Sequence, residues 1–126
     1  MFIGCNEHDY ITIASPNKSK CLTVEQVTSI RPGFKPYLKL YFGVTSLNKN
    51  EYIQMPWDDV GGFGVNWGAN PIVITGYATK NTIPSSKILF KRYLSEEEEK
   101  NYNARGSLWR TYDFELLVNN KYDSCK

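Results

Sequence analysis

The stretch Tyr37-Leu38-Lys39-Leu40-Tyr41-Phe42-Gly43-Val44 decides the fold class. Its alternation puts Leu38, Leu40, Phe42 and Val44 on one face of an extended chain and Tyr37, Lys39 and Tyr41 on the other. Period two is the signature of a strand with one face on a core and one in water. The same reading extends outward to Asp9–Ala14, where Ile11 and Ile13 point one way, and to Glu51–Trp57, where Ile53, Met55 and Trp57 do. Pro56 lacks the N–H a ladder needs and should end that strand or mark an edge. Pro71–Thr79, Lys87–Tyr93 and Trp109–Val118 complete six predicted strands. The last of these places Tyr112, Phe114, Leu116 and Val118 together on one face.

Between Leu94 and Gly106 the pattern changes. Ser95 with Glu98 forms a capping box, and Glu96–Glu99 sets negative charge on the first turn of a helix. Leu22–Ile30 carries a second such pair, Thr23 with Gln26, and is read as a short helix, although Val24 and Thr28 favour a strand. The expected architecture is therefore mainly β, with α+β at its margin. It consists of one domain over residues 1–126, with about six antiparallel strands in a barrel or sandwich and one or two short helices. The absence of crossover helices excludes a doubly wound parallel sheet.

The 126 residues are 41% hydrophobic and 22% charged, with a formal net charge of +2, which excludes a disordered tail or a strongly basic nucleic-acid arm. One histidine, His8, excludes paired-histidine mechanisms and leaves a single candidate for a Ser-His or Cys-His base. The first nine residues carry no basic stretch followed by an apolar run, so the reading is cytoplasmic, with no membrane partner. In that compartment Cys5, Cys21 and Cys125 are expected as reduced thiols. A Cys3His zinc site from Cys5, His8, Cys21 and Cys125 would need a thiol next to the C-terminus, where chains fray, and neither a metal nor a cofactor is assigned.

The glycine-rich Val60–Gly68 lacks the lysine and the helix of a phosphate loop and is read as an irregular turn or bulge, with Phe63, Val65 and Trp67 packed onto the sheet. Trp57-Asp58-Asp59 and Asn66-Trp67 bring indoles beside polar groups, a combination that serves sugar or nucleobase binding. Asp58 and Asp59 point to opposite faces of an extended chain, which suits an acid and base pair poorly.

Charge is uneven along the chain. From Lys18 to Lys49 it carries Lys18, Lys20, Arg31, Lys35, Lys39 and Lys49 against Glu25 alone. Within that stretch Tyr37, Lys39 and Tyr41 share a strand face, the interleaving of rings and cations on which nucleotides or single strands stack. Lys87, Lys91 and Tyr93 repeat the pattern and would extend the surface if the two strands were neighbours. The candidate binding residues are accordingly Arg31, Lys35, Tyr37, Lys39, Tyr41, Trp57, Asp58, Asn66 and Trp67.

The supply of Tyr and Trp suits interface anchors. The abundance of Asn, Lys, Tyr and Ile is similar to that of AT-rich phage and mobile-element proteins, many of which inhibit or sequester a host component. The leading expectation is a non-enzymatic binding protein that occupies a partner protein or a small ligand. The alternatives are a nucleotide or single-stranded nucleic-acid binding β-domain and, behind it, a small hydrolase-type enzyme.

Overall fold

A computed structural model describes residues 6–57, 62–102, 107–113, 117, 119 and 122–125. Nine strands and one helix follow in chain order: β1 (Asn6–Ala14), β2 (Cys21–Ser29), β3 (Tyr37–Phe42), β4 (Ile53–Pro56), β5 (Gly62–Asn66), β6 (Ile72–Gly76), β7 (Lys80–Asn81), β8 (Ile88–Lys91), α1 (Glu96–Tyr102) and β9 (Trp109–Asp113). They form two sheets, a five-stranded one in the order β1-β2-β3-β4-β7 and a four-stranded one in the order β8-β6-β5-β9. The sheets do not close into a barrel.

One apolar cluster is shared by both sheets, with Ile13, Leu22, Val24, Leu38, Leu40 and Ile53 from the first and Phe63, Val65, Ile72, Ile74, Ile88 and Tyr112 from the second. Fully burying a side chain of this kind contributes about 1.5–3 kcal/mol, so the inward rows dominate the stability of both sheets. Trp67 closes one end of the core. Its indole N–H donates to the Tyr112 hydroxyl at 3.0 Å, and the Tyr112 ring stacks on Phe63 at 5.3 Å between centroids. Burial pushes the Tyr112 phenol up, against the lowering effect of the Trp67 bond and of Arg110.

The strand expected at Tyr37–Val44 is β3, with Leu38 and Leu40 inward as the alternation requires. Phe42 and Val44 are exposed instead, because the chain leaves the sheet there through Gly43, which has a positive φ. Leu22–Ile30 is not a helix. It runs as β2 between β1 and β3, hydrogen-bonded on both edges, and buries Leu22 through Glu25 and Val27. A central strand covered on both faces lacks the alternation that would have revealed it. Val60–Gly68 contains a strand as well: β5 pairs with both β6 and β9, although Phe63, Val65 and Trp67 do pack inward.

One pairing departs from the antiparallel expectation. β6 and β8 are parallel, and the chain between them passes through β7 in the other sheet. The capping box is present, with Ser95 N–H donating to Glu98 Oε1 at 3.1 Å and Glu98 N–H to Ser95 Oγ at 3.2 Å. Gly106, Phe114, Leu116 and Val118 lie outside the described residues. Among the described residues no helix is long and apolar enough to cross a membrane.

The expectation of reduced thiols is overturned. Cys21, the first residue of β2, sits opposite Ala14 of β1, and the segment 122–125 lies against β1. Ala14 N–H donates to the Asp123 carbonyl at 2.8 Å, and Cys125 N–H donates to Thr12 Oγ1 at 3.1 Å. This docking carries Cys125 to Cys21, and the two form a disulfide across 104 residues. The same bond removes both thiols from a Cys3His site; Cys5 lies outside the described residues.

Candidate functional site

Each sheet turns one face outward, and the two faces differ. On the five-stranded sheet the register aligns a row across all five strands, Tyr10 opposite Glu25, Glu25 opposite Lys39, Lys39 opposite Gln54 and Gln54 opposite Lys80. Glu25 is only 4% exposed, since it stands on a central strand among long neighbours. A carboxylate can only accept, so its two nearest partners donate: Tyr41 hydroxyl to Oε1 and His8 Nδ1–H to Oε2, each at 2.5 Å. Burial alone would push the Glu25 carboxyl up. Hydrogen bonds from Tyr41, His8 and Tyr10 and the His8 charge outweigh burial and hold it below its ordinary value. Burial and the Glu25 carboxylate together push the Tyr41 phenol far up, which keeps it a donor.

The cations of this face are also engaged. Lys39 lies 4.4 Å and Lys80 5.5 Å from the Tyr52 ring centre. Lys49 covers Tyr10 at 4.3 Å and Tyr41 at 4.8 Å and donates to the Tyr10 hydroxyl. The face is thus a mesh of rings, ammonium groups and one carboxylate in mutual contact.

The nine sequence-derived candidates separate on this background. Tyr37, Lys39 and Tyr41 do share the outward face, but Tyr41 is 2% exposed and its ring is not offered for stacking. Arg31 and Lys35 stand at the β2–β3 connection, where Arg31 stacks 5.4 Å over Phe34 and donates to Asn6. Trp57 and Trp67 belong to the core, Asn66 Oδ1 accepts from Gly68 N–H within a turn, and Asp58 lies outside the described residues. Lys20, part of the basic stretch, donates to the Trp67 and Ala69 carbonyls at 3.3 and 3.2 Å. β3 and β8 lie in different sheets, so Lys87, Lys91 and Tyr93 do not extend the Tyr37–Tyr41 surface. Lys87 and Lys91 pair instead with Glu51 and Glu98.

The outward face of the four-stranded sheet has a different construction. Gly62 and Gly64 occupy outward positions on β5, flanked by Thr75 on β6 and by Thr111 and Asp113 on β9. A Cβ on Gly64 would collide with the six-membered ring of Trp109, so the missing side chain is what lets that indole lie across the strand. Arg92, Tyr93 and Leu94, with Glu99 of α1, form the wall opposite. The result is a groove of about 500 Å³, within the range of small-molecule sites. At its mouth Arg92 stacks over Tyr77 at 4.4 Å and Tyr93 at 5.4 Å, and both tyrosines are more than half exposed. No single stretch of sequence shows this site, because its residues come from β5, β6, β9, α1 and the β8–α1 connection, and its best local signal, glycine at alternate positions of β5, equally fits a turn.

Among the described residues no cluster of three or more His, Cys, Asp or Glu is placed to hold a metal ion. Comparison with protein-family models, with curated proteins and with solved structures finds no match to this chain.

Proposed function

We propose that the protein is a non-catalytic binding domain whose recognition surface is the groove on the outer face of the four-stranded sheet. One observation carries this reading: on the outer face of this sheet Arg92, Tyr93, Trp109, Thr75 and Thr111 line an open volume of about 500 Å³ above β5. Exposed Tyr and Arg beside a partly buried Trp are the side chains that supply most binding energy in recognition sites. The disulfide supports action in a compartment that oxidises thiols, and it removes the reduced-thiol argument for the cytoplasm.

The test is capture from the native source on immobilised protein, with bound protein and small molecules both identified. Material retained by wild type should be lost with Arg92→Glu plus Tyr93→Ala and kept with Lys39→Glu plus Lys80→Glu. The reverse pattern would move the site to the first sheet. A second reading, single-stranded nucleic acid on the five-stranded face, is favoured by the convergence of Lys39, Lys49 and Lys80 on one surface. It requires oligothymidylate affinity that falls steeply with salt and is lost in the lysine variant.

A further inference from the structure

We infer that the ligand of this groove is an uncharged saccharide, an assignment that rests on the groove being the recognition surface. The lining sets one guanidinium, Arg92, against two carboxylates, Glu99 and Asp113. A phosphate-bearing ligand would meet net repulsion there, whereas binding nucleic acid depends on an excess of cations. A wholly apolar ligand would cover the Thr75 and Thr111 hydroxyls and the Glu99 carboxylate and offer them no hydrogen bond, which polar burial penalises. An extended peptide that adds a strand would pair along the edge strand β9 and not over the groove floor, because β5 is paired on both sides.

What remains is a ligand that presents donors and acceptors together over an apolar ring surface. Thr75, Thr111 and Tyr93 hydroxyls both donate and accept, the carboxylates accept, and Arg92 donates in a fixed fork, so each hydroxyl of a sugar finds a complement. The aromatic rings of Trp109 and Tyr93 match the C–H faces of pyranose rings. Glycine at 64 lets the Trp109 indole lie across β5, so an aromatic ring, and not a backbone floor, is what the sheet offers a sugar ring at that position.

The intact, disulfide-bonded protein is titrated with cellohexaose, xylohexaose, mannohexaose and chitohexaose, following tryptophan emission and the amide shifts of Gly64, Thr75 and Thr111. At least one saccharide is expected to saturate with shifts centred on those amides, and Arg92→Ala and Tyr93→Ala should each weaken it about tenfold or more. Both positions are on the surface, so both variants should fold; Phe42→Ala, outside the groove, should bind as wild type. Absence of a saturable shift with all four saccharides overturns the ligand class, as does binding that survives both groove variants. If the saccharides fail but oligothymidylate or an acidic peptide moves the same amides, the ligand class falls and the groove reading stands. If the captured native partner is indifferent to the groove variants as well, both fall.

Discussion

The outer faces of the two sheets use the same vocabulary of Tyr, Lys or Arg, and carboxylate, yet one is closed and the other open. On the five-stranded sheet the outward positions of the central strands carry bulky or polar side chains that reach one another. Glu25 is consumed by His8 and Tyr41, and the lysines by tyrosine rings. On the four-stranded sheet two outward positions are glycine, Trp109 lies over Gly64, Arg92 packs on Tyr77 and Tyr93, and an open volume is left between them. The difference shows that composition does not by itself make a binding surface. What matters is whether the outward side chains fill the space between them.

The largest expected effect falls on the tie between the end of the chain and the first sheet. Replacing Cys21 and Cys125 together by Ser removes a crosslink spanning 104 residues, and should cost about 4–5 kcal/mol in denaturant titration. A loss near zero would show that the 122–125 segment holds its place without the bond.

Next, Glu25→Ala should cost about 2–3 kcal/mol, because it strands the buried Tyr41 hydroxyl, while Tyr41→Phe with Glu25→Gln should be milder than the sum of the singles. The same carboxylate gives the first sheet an acid response. Its folded pKa lies below the ordinary 4.5, so its contribution is fully present above that value and is lost as pH falls through the folded one. Denaturation midpoints of wild type should drop with acid below about pH 4.5 more steeply than those of Glu25→Gln. Parallel curves would dismiss the closed network as a source of stability.

Gly64→Ala is expected to cost about 1–3 kcal/mol through overpacking, with a change in tryptophan emission as the Trp109 ring is displaced. An unperturbed spectrum would mean the groove floor tolerates a side chain. Ser95→Ala should cost about 1 kcal/mol by removing half of the capping box. Arg92→Ala and Tyr93→Ala should stay within about 0.5 kcal/mol of wild type in stability. A larger loss at either would place the wall of the groove among the structural contacts of the second sheet.

Much of the fold was legible where one face of an element meets water. Leu38 and Leu40 against Lys39, and Ile53 and Met55 on either side of Gln54, announced β3 and β4. Ser95 and Glu98 announced the start of α1, because a capping box is closed by residues three apart. β2 is hidden in the sequence because both of its faces are covered, which leaves no alternation to set against its capping-type pair Thr23 and Gln26. β7 is two residues long and exists only through its pairing with β4. The sequence around each thiol says nothing of its partner, because the pairing of Cys21 with Cys125 depends on where residues 122–125 dock.

The candidate site divides in the same way. Alternation alone placed Tyr37, Lys39 and Tyr41 on one outward face, because side-chain direction in a strand is fixed by the backbone. It could not say that Tyr41 would be sealed by Glu25 and Lys49, which lie far from it in sequence. The groove drew Gly64, Thr75, Arg92 and Trp109 from four segments, and neither its volume nor its charge balance exists before the sheets assemble. The sequence by itself determined strand content, the inward rows and one helix start, since these depend on neighbours two to four residues apart. The tertiary structure decided the split into two sheets, the disulfide, and which outer face is closed, because each depends on contacts between residues that only strand register brings together.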